Sequence, residues 1–175
     1  VWLMEDLLDL YAEPYRADYL VICFDEVPYQ LVRETRTPLP LQPGKPARYD
    51  YEYQRAGTCN LFMFLAPLIG WRHVKVTDRR TQQDFAVCMH QLVEVHCREA
   101  HKVRVVLDNL NTHTYGALYE AFAPAEARRI ARKLVFHYTP KHASWLNMAE
   151  IEFSVMLDFI GNEHSVEDVF VVEFP

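Results

Sequence analysis

A chain of 175 residues, half of them apolar, is long enough to bury the core of one ordinary domain, and this composition excludes a disordered chain. No apolar run is long enough to cross a bilayer, and no secretory n-region and h-region is found at the start. The net charge of −6 argues against a nucleic-acid partner until its distribution is read. Seven of the 24 acids lie in 142–175, which holds no Lys or Arg, so the first 141 residues carry 17 acids against all 18 basic residues.

The chain begins at Val1 rather than Met, as expected of a piece of a longer protein. Trp2 to Tyr11 reads as a short amphipathic helix with Leu3, Leu7, Leu8 and Tyr11 on one face, ended by Glu13-Pro14. Tyr19 to Phe24 is a continuous apolar strand of the kind buried on both faces, ending at Asp25-Glu26, and a second short antiparallel strand follows from Tyr29 to Val32. Residues 35–50 hold four prolines and a glycine and are expected to form an exposed loop. Arg33, Arg36, Lys45, Arg48 and Arg55 make this the most basic stretch of the first half, either a solvated loop or a phosphate-contacting one.

Thr58 to Leu65 and Trp71 to Val76 read as two more strands paired across Pro67 to Gly70. Thr81 to Asp84 is a capping box opening a helix with the apolar stripe Phe85, Cys88, Met89, Leu92 and Val93. A strand at 103–107, one or two helices from Tyr115 to Lys133 broken near Pro124, a strand at Leu134 to Tyr138 and a helix from about Ser144, its expected N-cap, to Ile160 complete the chain. Strands first, then alternating helices and strands, predict an α/β domain: a mixed sheet with helices on its faces. Cys23, Cys59, Cys88 and Cys97 form no CxxC pair. Cys97 and His101 lie one helical turn apart, with Cys88 and His90 near, but four singly buried thiols in a reducing interior, the cytosol, is the simpler reading.

Two of the predicted buried strands end in aspartate, Asp25 and Asp108. In open α/β sheets ligands collect beyond the carboxyl ends of the strands. If the strands are parallel neighbours, the two carboxylates project together and repel, and a divalent cation resolves the repulsion. The alternative is that each Asp caps its own turn. On the last helix Glu150 falls at the rim of the apolar arc and Glu152 inside it. At roughly 100° per residue they point to nearly opposite sides, so only one of them reaches a shared site; the rim position favours Glu150.

The segments CFDE (23–26), VLDNLNTH (106–113) and YTPKHASWLNMAEIEF (138–153) resemble, in order and spacing, the three signature segments of DDE transposases. They are most similar to the bacterial insertion-sequence branch of the mariner-like superfamily, and the resemblance spans about residues 1–155. It implies an RNase H-like fold: a five-stranded mixed sheet, its first three strands antiparallel, flanked by helices. Residues 1–12 would be a lead-in helix or linker from a missing N-terminal DNA-binding region, and 156–175 an atypical acidic tail. Asp25, Asp108 and Glu150 (alternatively Glu152) are the implied metal-binding triad for two Mg²⁺ or Mn²⁺ ions, with Glu26, Asn109, Asn111, His113 and Asn147 lining the site. DNA would be gripped by Arg33, Arg36, Lys45, Arg48, Arg79, Arg80, Lys141 and His142. Trp145 either stacks on a base or fills the core. The implied activity is metal-dependent phosphodiester cleavage, then strand transfer by the freed 3′-hydroxyl, on element ends and target DNA. A homodimer in the synaptic complex and a cytoplasmic, nucleoid-associated location go with it. The chain departs from the family in two ways: no helix-turn-helix modules precede Val1, and the tail is acidic and interrupted by Gly161. Two other readings follow, a non-catalytic remnant that binds DNA loosely or oligomerises, and an RNase H-like nuclease without strand transfer.

Overall fold

The structure is a computed structural model that describes residues 1–34 and 53–163. Five strands form one sheet: β1 (Tyr19–Glu34), β2 (Tyr53–Ala66), β3 (Trp71–Thr77), β4 (Lys102–Leu107) and β5 (Leu134–Tyr138). Their order is β3-β2-β1-β4-β5. The first three pair antiparallel, and β4 and β5 add in parallel to β1. This is the mixed α/β sheet read from the order of elements.

Period-two alternation sorts the side chains of β1 onto two faces. Ile22 and Phe24 join one core with Phe62, Phe64, Val103, Val105 and Leu107. That core is covered by α2 (Gln82–Gln91), α3 (Tyr115–Ala121) and α4 (Pro124–Lys133). Val21 and Cys23 join a second core with Leu61, Met63 and Val106. It is covered by α1 (Trp2–Ala12) and α5 (Met148–Glu163). The capping box at Thr81 forms as read, each residue of the pair bonding the other's backbone N–H. All five residues of the predicted stripe, Phe85 to Val93, are buried. The helix ends in a π-helical turn, Leu92–His96. The four cysteines are free and buried.

Three expectations are corrected. β1 does not stop at Asp25; it runs 16 residues, through Pro28 and the predicted second strand. Its pairing with β4 ends at Cys23, so beyond that point β1 has a neighbour on one side alone, a setting in which proline is tolerated. The β1–β2 register shifts at Leu31/Val32, where Gly57 takes φ +112°, a backbone conformation that favours glycine. In α1 the buried residues are Leu7 and Leu10, while Leu8 is 51% exposed. Finally, the last helix begins at Met148, after a short 3₁₀ turn at Ser144–Leu146, so Ser144 is not its cap.

The first helix packs against the second core through Leu7 and Leu10. Asp6 lies 2.8 Å from His137 of β5, and the Tyr11 hydroxyl donates to the Leu146 carbonyl at 2.8 Å, just before α5. The proline-rich loop, with Arg36, Lys45 and Arg48, and the tail from His164 onward lie outside the described residues.

Candidate active site

Asp25 alternates onto the α5 face of β1, next to Cys23. Asp108 follows the last residue of β4, at the carboxyl edge of the sheet. Glu150 sits in the first turn of α5. What fixes that turn is Asn147, 1% exposed: its Nδ2 donates to the Phe24 carbonyl of β1 at 2.8 Å, and its Oδ1 accepts from the Ala149 N–H at 3.2 Å. One side chain thus caps the helix and ties it to the backbone immediately before Asp25. Asn147→Ala leaves the Phe24 carbonyl buried without that donor and the helix without its cap, at an expected cost of about 1–3 kcal/mol. The check is the drop in melting temperature by circular dichroism.

The three carboxylates share an electrostatic environment. Burial first, then the charges of Asp108, Glu150 and Glu26, push the Asp25 carboxyl up to about 7, against a bond from the Glu26 N–H that pulls the other way. That backbone N–H donates to Asp25 Oδ1 at 2.9 Å. Glu152 points elsewhere, 3.1 Å from Arg72 of β3, so among the two glutamates Glu150 is the one whose charge bears on Asp25.

Behind the carboxylates lies His113, 1% exposed. Its Nε2 is 2.7 Å from Glu26 Oε2 and its Nδ1 is 2.6 Å from Asp108 Oδ1. The second contact is electrostatic rather than an aligned hydrogen bond, since Asp108 Oδ1 is buried without a properly directed donor. Burial alone would lower the imidazole's pKa; Asp108 and Glu26 outweigh it and lift it to about 9. The ring packs against Phe85 and Phe24, at centroid distances of 4.7 and 5.5 Å.

A cleft of about 440 Å³ opens beside Asp108, lined also by Asn109, Leu110, Thr139, Pro140, Lys141 and Ser144. Lys141 is exposed there and His142 follows it, also exposed; Arg79 and Arg80, just before α2, are exposed as well. Trp145 is 63% exposed, which removes the core-aromatic reading. Asn111 is exposed, and its carbonyl accepts from Gln82 at 3.4 Å. Arg33 lies near the end of β1, its backbone paired with Gln54. Sequence reading did not find the Glu26–His113 bridge or the Arg72–Glu152 pair, because both join residues distant in the chain.

A hard divalent cation suits this donor set of carboxylate oxygens: one buried carboxyl, Asp25, held near neutrality, and a second, Asp108, a third exposed and lining the cleft. Among the described residues no three such side chains are already drawn to metal-binding distance.

Acids from three elements bear on one another at the carboxyl ends of β1 and β4 of a mixed sheet, and the chain belongs to the DDE superfamily endonuclease family, whose model matches residues 20–170. The particular likeness is to the Mos1 mariner transposase. A crystal structure of the Mos1 mariner paired end complex with Mn is 17% identical, at a TM-score of 0.59 over 95% of this chain and 50% of that one. A pre-cleavage Mos1 transpososome is 17% identical, at 0.60 over 94% and 50%, and the Mos1 strand transfer complex 12% identical, at 0.57 over 93% and 47%. The sheet is therefore RNase H-like, and the chain spans about half the length of the solved chains it matches. No curated protein matches the chain.

Proposed function

We propose that this chain is the catalytic domain of a DNA transposase, of the bacterial insertion-sequence branch of the mariner-like superfamily, cleaving phosphodiester bonds and joining the freed 3′-hydroxyl to target DNA. The observation that carries it is the common field of Asp25, Asp108 and Glu150, three acids from separate elements, at the sheet edge of a DDE-family chain. In this reading residues 1–155 are the catalytic domain and 156–175 a divergent tail. Asp25, Asp108 and Glu150 hold two Mg²⁺ or Mn²⁺ ions. Such ions supply charge neutralisation and a polarised oxygen, which is most of what phosphoryl transfer needs.

The chain's own residues do the rest. Lys141, exposed at the cleft, and His142, exposed next to it, bring positive charge to the phosphate backbone, with Arg79 and Arg80 just before α2. Trp145, exposed one turn before Glu150, offers a face for base stacking. Asn147 fixes the height of Glu150 against β1. The partners are element ends and target DNA, in a homodimeric synaptic complex in the bacterial cytoplasm.

A second reading, a remnant that folds without turning over, is favoured by the stretch 142–175, whose seven acids without a Lys or Arg would repel a phosphate backbone. The two part on one assay: DNA carrying mariner-type ends incubated with the chain and Mn²⁺. Joined products support transposition, nicked but unjoined DNA leaves a nuclease, and intact DNA with no Mn²⁺ binding leaves the remnant.

A further inference from the structure

Asp25 and Glu26 are adjacent acids on opposite faces of β1, and the reading above uses the first of them as a ligand. Glu26 faces the core that holds Phe24 and Phe85, and its side chain is 5% exposed. A carboxylate so deep needs a partner, and His113 Nε2 supplies it at 2.7 Å. The same ring presents Nδ1 to Asp108 Oδ1 at 2.6 Å, and 3.4 Å from the Asp108 carbonyl. Phe85 lies along one side of the ring, and the Tyr138 hydroxyl donates to the His113 carbonyl at 2.8 Å, so neither ring nor main chain is free to turn. The Asp108 side chain is 33% exposed although Oδ1 is buried, which puts its exposure on the Oδ2 side.

We infer that Glu26 and His113 form a positioning pair, which draws one oxygen of Asp108 inward and leaves the other facing the cleft. The inference rests on the reading of Asp108 as a metal ligand. His113, in the segment that follows β4, sets the orientation of that ligand; Glu26 sets the orientation of His113. Neither touches the cation. Groups that orient a ligand from behind typically change metal affinity by about 10–100-fold when removed.

The test is Mn²⁺ titration by calorimetry, well below the melting temperature, on the wild-type chain, His113→Gln, Glu26→Gln and the double variant. His113→Gln is expected to weaken Mn²⁺ binding by about 10–100-fold. Glu26→Gln weakens it less, and the double variant is no worse than His113→Gln, because both act through one carboxylate. A role in folding alone would lower the melting temperatures and leave the affinity of the folded chain unchanged. Affinity within about twofold of wild type in folded His113→Gln, or in Glu26→Gln should the first not fold, overturns the pair. If the wild-type chain binds no Mn²⁺, the metal-site reading falls, and the pair is decided in chelator by thermal unfolding of His113→Gln, Asp108→Asn and their combination. Coupled shifts keep the His113–Asp108 link; additive shifts remove it.

Discussion

Asp108→Asn is expected to abolish measurable Mn²⁺ binding and to slow metal-dependent DNA cleavage by on the order of a thousandfold or more, the rate equivalent of about 4 kcal/mol. The substitution keeps the shape of the side chain and removes its charge, so it takes a ligand from the cation and also a charged partner from the buried His113 ring 2.6 Å away. The melting temperature of the variant is therefore expected to fall as well, and binding and cleavage are read well below it, on the folded chain. The glutamates give the matching contrast. Glu150→Gln should behave like Asp108→Asn, because its charge reaches Asp25. Glu152→Gln should cleave at close to the wild-type rate, because its carboxylate is spent on Arg72. Cleavage by Asp108→Asn at the wild-type rate, or a Glu152→Gln that is as inactive as Glu150→Gln, would remove this triad.

The fold was legible wherever a pattern in the chain matched a physical period. The stripe from Phe85 to Val93 is helical in spacing, the box at Thr81 opens its helix, and both form as read. The strand at 134–138 is bounded as expected. What misled was local chemistry overridden by neighbours. Asp-Glu-Val-Pro reads as a strand end, yet β1 continues, because β2 keeps pairing with it after β4 has stopped. Ser144 has the chemistry of a cap, but Asn147 takes the role, because it can also reach the Phe24 carbonyl. Asp108 and Glu150 were visible as acids at the ends or rims of elements. The Glu26–His113 bridge was not: 87 residues separate its ends, and no periodicity carries that information.

Asp25→Asn should make the metal-free chain more stable at pH 8, by about 2–4 kcal/mol, while making it useless for binding Mn²⁺. The sign comes from proton linkage. The folded carboxyl titrates at about 7, against 3.8 for the free group, because burial and the charges of Asp108, Glu150 and Glu26 disfavour its ionised form. Between those two values the folded chain holds a proton that the unfolded chain has lost, so wild-type stability falls as the pH rises through this window and levels off above it. Asparagine is neutral throughout. The variant and the wild type should therefore melt together near pH 4, separate as the pH climbs to 7, and keep a constant gap beyond. Urea melts in chelator across this range measure the gap directly. Saturating Mn²⁺ then reverses the order, since it binds the folded wild type and not the variant. A wild type at least as stable as Asp25→Asn at pH 8 in chelator would mean that Asp25 carries no unrelieved charge, and the case for a cation at this edge would lose its electrostatic basis. With the gap present, one residue is a liability to the bare fold and a requirement for its ligand, which is the balance expected of a site kept for catalysis rather than for stability.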